Sequence, residues 1–139
     1  MDSYVPAHQG DDTLNRADLK KSVDFFTALG YKFNAQFTDE SCTCMIISED
    51  IYSMLMTHER FKTFMPNEVC DTKTATEVLI CLSCESRGEV DAQIQKAIAA
   101  GGSTFKEPMD MGFMYGRSFR DLDGHFWQFM YMDPSAVQG

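Results

Sequence analysis

The sequence predicts an α+β fold of two successive βαβββ modules, on three observations. Two amphipathic helical segments each end in glycine, short strand candidates follow each of them, and a polar stretch without a clean period separates the two sets. At 139 residues the chain has the length of one domain, with 44% hydrophobic and 24% charged residues, as in ordinary globular proteins. A domain of that size buries roughly two thirds of the surface its unfolded chain exposes, so no staple is required.

The first helix is expected from Ala17 to Leu29, where Leu19, Val23, Phe26 and Leu29 recur at helical spacing while Asp18, Lys20, Lys21 and Asp24 face water. Gly30 follows the last apolar residue, where a left-handed cap suits glycine. Tyr31 to Phe37 alternates like a strand, and Thr43 to Ser48 with Tyr52 to Thr57 form a hairpin joined through Glu49, Asp50 and Ile51. The strand before this helix is weakly written. Only Tyr4-Val5 and Thr13-Leu14 suit it and Gly10-Asp11-Asp12 interrupts them, so the N-terminal residues read as a first strand, a loose arm or a segment exchanged with another subunit.

The second module repeats the order. A strand is expected from Glu77 to Cys84, then a helix from about Gly88 to Ala100 with Val90, Ile94, Ala97 and Ile98 as its stripe and Gly101-Gly102 as its stop. Ser103 to Lys106, Met114 to Arg120 and Phe126 to Met132 supply three strands, the last entered through Asp121, Asp123 and Gly124. The whole chain, 1–139, thus reads as one domain with module one at about 1–60, a linker at about 61–76 with Pro66 and room for a short helix, and module two at about 77–133.

A net charge of -9, with twelve Lys and Arg scattered along the chain, argues against nucleic acid and anionic membrane as partners. No apolar run approaches the ~20 residues that span a bilayer. Met1 to Asp12 has neither the basic start nor the apolar stretch of a secretory signal, so a cytoplasmic location and reduced thiols are expected for the five cysteines. Cys42 and Cys44 share one strand face while Cys81 and Cys84 do not, a pattern unlike zinc-binding turns and suited to buried structural thiols. Ten methionines and eleven phenylalanines fit either a core or an adaptable pocket.

The run from Leu14 to Tyr31, LNRADLKKSVDFFTALGY, resembles the first-helix signature D-L-x-x-S-x-x-F-Y-x-x-L-G-F of the vicinal oxygen chelate superfamily, which includes glyoxalase, bleomycin resistance and extradiol dioxygenase proteins. Asp121 to Phe129, DLDGHFWQF, resembles its D-P-D-G-H/N-x-W/I-E-L/F ending. The resemblance implies paired βαβββ modules curled into a half-barrel sheet with a concave ligand cavity, and a homodimer. It also implies metal-ligand positions near Thr13, Leu55, Leu79 and Gln128, the last standing where metal-using relatives carry a Glu. Leu offers a metal nothing and Gln only a neutral oxygen, so no divalent cofactor of the glyoxalase kind is expected. The alternative is a displaced site of His58, Glu77 and Gln128; against it, His58-Glu59-Arg60 reads as a solvated strand end.

Ligand-binding candidates come from module two. Phe113, Tyr115 and Arg117 share one strand phase, and Phe126, Gln128 and Met130 share another. Arg117 suits a carboxylate or phosphate by paired hydrogen bonds, with a surface ion pair as the competing role, and Gln128 suits a carbonyl or amide. Tyr115 and His125 are the candidates for acid-base work, against packing for the phenol and turn structure for the imidazole. The expectation is a binder of a small organic molecule, with a glyoxalase-like lyase, isomerase or dioxygenase-like enzyme as the alternative.

Overall fold

The structure is a computed structural model that describes residues 2–6, 15–76 and 78–136, with side chains described from residue 19 onward. Thr13 and Glu77 lie outside the described residues. The chain divides into two compact units, Met1–Ala75 and Thr76–Gly139.

In the first unit, β1 (Asp2–Pro6), α1 (Asn15–Ala28), β2 (Lys32–Asn34), β3 (Cys42–Ile46) and β4 (Tyr52–Met56) give a four-stranded sheet in the order β1-β4-β3-β2, with β1 parallel to β4. The first strand therefore runs through Tyr4-Val5. Gly30 ends α1 at φ 99°, and Tyr31 N donates to Phe26 O at 3.0 Å, the left-handed cap expected there. Leu19, Phe25, Phe26 and Leu29 are buried. Leu19 and Val23 line a crevice with Thr43, which sets α1 on the Thr43 side of the sheet.

The strand expected from Tyr31 to Phe37 stops at Asn34. The Asn34 carboxamide oxygen accepts from Gln36 N at 2.9 Å and turns Ala35–Phe37 into a 3-10 helix, a local bond that competes with the ladder. Beyond β4 the chain does not merely link. Thr57 caps a short helix α2 (His58–Phe61), a 3-10 turn Lys62–Phe64 follows, and Phe61, Met65 and Val69 pack on Cys42, Met54 and Met56. The stretch read as a linker is thus a wall of the first unit, folded onto the sheet face opposite α1.

The second unit repeats the topology: β5 (Leu79–Ser83), α3 (Arg87–Ala99), β6 (Met109–Asp110), β7 (Met114–Arg120) and β8 (Phe126–Met132) in the order β5-β8-β7-β6, with β5 parallel to β8. The helix starts at Arg87 because Ser86 Oγ accepts from Glu89 N at 3.1 Å while the Glu89 carboxylate takes Glu85 N, a capping pair legible as Ser86-x-x-Glu89. Val90, Ile94 and Ala97 are fully buried, as are Phe119, Trp127 and Phe129, whose rings stack at centroid distances of 6.3 and 5.4 Å about Phe119. Trp127 points away from Gln128, as its alternation requires.

The strand expected at Ser103 to Lys106 is reduced to one bridge, Ser103 to Arg120. Pairing resumes after Pro108, which has no N–H to give a ladder, at Met109–Asp110. Asp110 Oδ1 accepts from Gly112 N at 3.0 Å, and Gly112 at φ 81° completes the turn into β7. Among the described residues no helix is long and apolar enough to cross a membrane.

Candidate functional site

Strand alternation gives each sheet two unlike faces. On β3 and β4, Thr43, Met45, Ser53 and Leu55 pack inward on the side of α1. The other face presents Cys42, Cys44, Met54 and Met56 to a cavity of about 380 Å³. Phe37 and Phe64 enclose it, and Asn34, Tyr52 and Arg60 supply its polar groups. The Arg60 guanidinium lies 5.8 Å from the centroid of the Phe64 ring, and no carboxylate among the described residues is within salt-bridge distance of it. A largely apolar recess with a few convergent polar groups is the form small-molecule sites take.

The second unit carries a polar row on its face away from α3. Cross-strand pairing sets Cys81 on β5, Gln128 on β8 and Ser118 on β7 side by side. Ser118 Oγ is buried without a hydrogen-bond partner among the described residues, and Gln128 beside it is 6% exposed. Buried polar atoms are rarely left so. A Cβ at Gly116 would stand 3.0 Å from Gln128 Nε2, so the glycine makes the room in which that amide lies. Met130 flanks the row, paired with Gly116.

The remaining candidates lie elsewhere. Tyr115 and Arg117 occupy the opposite face from Gln128 and Met130, against α3, where Tyr115 Oη donates to Asp91 Oδ1 at 2.7 Å and Arg117 Nη1 to the same oxygen at 3.1 Å. These bonds, Tyr115's first, hold the Asp91 carboxyl below its usual range, and the bond to Asp91 pushes the Tyr115 phenol up. Arg117 makes the ion pair that competed with its ligand role. Phe113 precedes β7 and is exposed.

Beside them Arg87 grips Asp110 through two bonds of 2.8 Å and lies 5.0 Å from the centre of the Tyr115 ring. The side-chain bond from Arg87, then the backbone N–H of Gly112, lower the Asp110 carboxyl to about 2. A depressed carboxyl contributes stability above its unfolded pKa and loses it as pH falls through the folded one, here toward about 2. In Arg87→Gln, the Asp110 titration followed by carboxyl NMR is expected to return toward the ordinary Asp range; an unmoved midpoint would contradict the assigned cause.

His125 is 2% exposed and sits in the turn against Asp121, whose carboxylate accepts from Trp127 Nε1 at 2.8 Å and from the backbone N–H groups of Asp123 and His125. Burial pushes the Asp121 carboxyl up despite these donors. The arrangement is that of a turn staple. His58 opens α2 and faces a separate recess of about 610 Å³ with Lys62 and Asp71, whereas Gln128 belongs to the second unit.

Among the described residues, the donors at the family positions do not fit a glyoxalase-type divalent ion. Leu55 is 1% exposed on the α1 face and Leu79 is a hydrocarbon, leaving Gln128 alone with an oxygen among the described family positions. Among the described residues no three His, Cys, Asp or Glu side chains lie together as a metal-holding group. None of the five cysteines is in a disulfide; Cys42 and Cys44 are buried as expected, but Cys81 is exposed because β5 is a sheet edge.

Sequence reasoning placed the candidate site in the second unit and missed the first-unit cavity. Its signal was present in the facing alternations Cys42-Thr43-Cys44 and Met54-Leu55-Met56. The wall from α2 to Val69 had no such signal, because it forms by packing between segments distant in sequence.

The bleomycin resistance protein-like N-terminal family profile matches residues 14–48. No curated protein sequence matches the chain at a significant level. Solved structures do. A hypothetical protein from S. aureus is 27% identical, covering 94% of this chain and 92% of its own, with a TM-score of 0.75. A glyoxalase/bleomycin resistance protein/dioxygenase family enzyme from Burkholderia phytofirmans is 16% identical, with coverage of 94% and 97% and a TM-score of 0.71. A variant of the fosfomycin resistance protein FosX from Listeria monocytogenes, in complex with Mn(II) and 1S,2S-dihydroxypropylphosphonic acid, is 16% identical, with coverage of 91% and 83% and a TM-score of 0.61. The matched first helix and the twice-repeated sheet order thus give this chain the fold of the glyoxalase/bleomycin resistance/dioxygenase proteins, with residues 14–48 similar to the bleomycin resistance protein-like N-terminal family.

Proposed function

We propose that the protein binds a small organic molecule and does so without a catalytic divalent metal of the glyoxalase kind. The observation that carries this reading is the cavity of about 380 Å³ on the first sheet, apolar over most of its wall, with Arg60, Tyr52 and Asn34 as its polar groups. Arg60 suits a ligand carboxylate or phosphonate through its planar fork, and the Met and Phe side chains adapt to the ligand's apolar body. Separately, on the second unit, the side-by-side Ser118 hydroxyl and Gln128 amide suit a carbonyl, amide or hydroxyl group. A homodimer in the cytoplasm belongs to the same reading, and light scattering at twice the chain mass would support the first part of it.

A thermal-shift screen of anionic metabolites and antibiotics is the test. Hits are expected to weaken about tenfold in Arg60→Ala, the loss of one charge-assisted hydrogen bond. Arg117→Ala is expected to leave them unchanged. Hits that weaken only in Arg117→Ala or Gln128→Ala would move the site to the second unit. Stoichiometric Mn, Ni, Zn or Fe in the purified protein, lost in Gln128→Ala, would replace the metal-free reading with the displaced metal site.

A further inference from the structure

We propose that Cys42 and Cys44, with Met54 and Met56 facing them across the β3–β4 hairpin, form a binding site for a soft monovalent cation of the Cu(I) class. The registers Cys42 to Met56 and Cys44 to Met54 put the four residues on one face as two directly opposed pairs. Opposed side chains on a sheet have Cβ atoms about 4.5–5.5 Å apart. Residues two apart on one strand are separated by roughly 7 Å. The four sulfur-bearing chains therefore rise from the corners of a small rectangle, and all four line the same cavity.

The methionine sulfur stands two bonds beyond Cβ on a freely turning chain, so Met54 and Met56 can follow a cation that the shorter, stiffer cysteines hold. Met65 packs against the same cluster but lines the neighbouring recess with His58 and not this cavity.

The donor chemistry selects the ion. Thiolate and thioether ligands favour Cu(I) and its soft congeners, while Mg, Ca and Mn call for oxygen ligands. The hard groups that would favour those ions are missing from the cavity wall: its polar members are an amide, a phenol and a guanidinium. Binding by both cysteines releases two protons, and a monocation held by two thiolates leaves a net charge of one negative unit. Arg60, on the same wall, offsets it in part, against the Asp39 carboxylate that accepts from Cys42 N at 3.0 Å. Cys81 and Cys84 make no comparable site, since Cys81 is on a sheet edge facing away from the unit's core and Cys84 lies beyond the strand end.

The site uses the cavity assigned above to an organic ligand but rests on its four sulfurs and not on that assignment. Anaerobic titration of the reduced full chain with Cu(I) against a competing chromophoric chelator is expected to give a single equivalent bound. Cys42→Ser combined with Cys44→Ser is expected to lose that equivalent, and Cys81→Ser combined with Cys84→Ser to keep it. Met54→Leu, which conserves volume, is expected to weaken binding about tenfold with the fold unchanged by circular dichroism.

X-ray absorption is expected to show a first shell of sulfur alone. No bound equivalent, retention in the Cys42/Cys44 double variant while it remains folded, or nitrogen and oxygen in the first shell would each overturn the proposal. Should the double variant unfold, the Met54→Leu affinity decides, and an unchanged value overturns it. Failure to bind Cu(I) alongside organic hits that still depend on Arg60 sinks this inference and leaves the ligand reading standing.

Discussion

Asp121→Ala is expected to destabilise the protein by about 3–5 kcal/mol, since it strips partners from several buried donors at once. The carboxylate receives Trp127 Nε1 at 2.8 Å through one oxygen and the backbone N–H groups of Asp123 and His125 at 2.9 and 3.0 Å through the other. Each donor left dry costs about 1–3 kcal/mol, with some recovery as water enters the gap. Urea denaturation measures the loss, with Leu122→Ala as an exposed control in the same turn. A loss under about 1 kcal/mol would show that the turn holds without the staple.

The pH dependence has a definite sign. Burial raises the Asp121 carboxyl above its unfolded value, so its protonated form favours the fold, and that advantage declines as pH rises through the folded pKa. Asp121→Asn does not titrate. The stability gap between wild type and Asp121→Asn is therefore expected to narrow as pH rises above the ordinary Asp range. A gap that widens over that window would mean the donors outweigh burial.

Gln128→Glu carries the second large effect, about 2–4 kcal/mol of destabilisation at pH 7. The amide it replaces is almost fully buried, and its polar neighbour is the Ser118 hydroxyl, able to donate a single hydrogen bond. A carboxylate there is poorly compensated, so its folded pKa rises and the lost stability is recovered as pH falls toward the Glu range. This variant also places a carboxylate where the resemblance expects one. Added Mn(II) or Zn(II) is expected to give no thermal shift; a shift of several degrees in the variant alone would mean that further ligands stand ready around position 128.

The helices and the last two strands were legible because local signals agreed. In α1 and α3 the apolar spacing and a glycine stop coincide, and β7 and β8 have the bounds read from their alternation. Where local chemistry competes with the ladder the reading failed, at Asn34, which caps a 3-10 turn, and at Pro108, which displaces the pairing to Met109–Asp110.

The site suffered from a different gap. Alternation separates a strand into two phases without saying which phases of two strands share a side. Here Arg120 pairs with Phe126, so residues of equal parity on β7 and β8 lie together, and Arg117 and Gln128 fall on opposite faces. Counting residues across the Asp121–His125 turn would have revealed it. The first-unit cavity needed more than counting, since the chain segment that walls it contacts the sheet through Phe61, Met65 and Val69, whose destination no local pattern announces.

Gly116 governs the room in which the polar row's amide lies. Its backbone is not in the left-handed region, so alanine is tolerated there conformationally. The atom such a side chain would meet is the far end of Gln128, which can swing aside at little energetic cost. A methyl group at 116 would thus re-aim the amide while leaving the core beneath it intact. The direction in which the Gln128 amide points is then set from the adjacent strand, with the stability of the sheet almost unaffected.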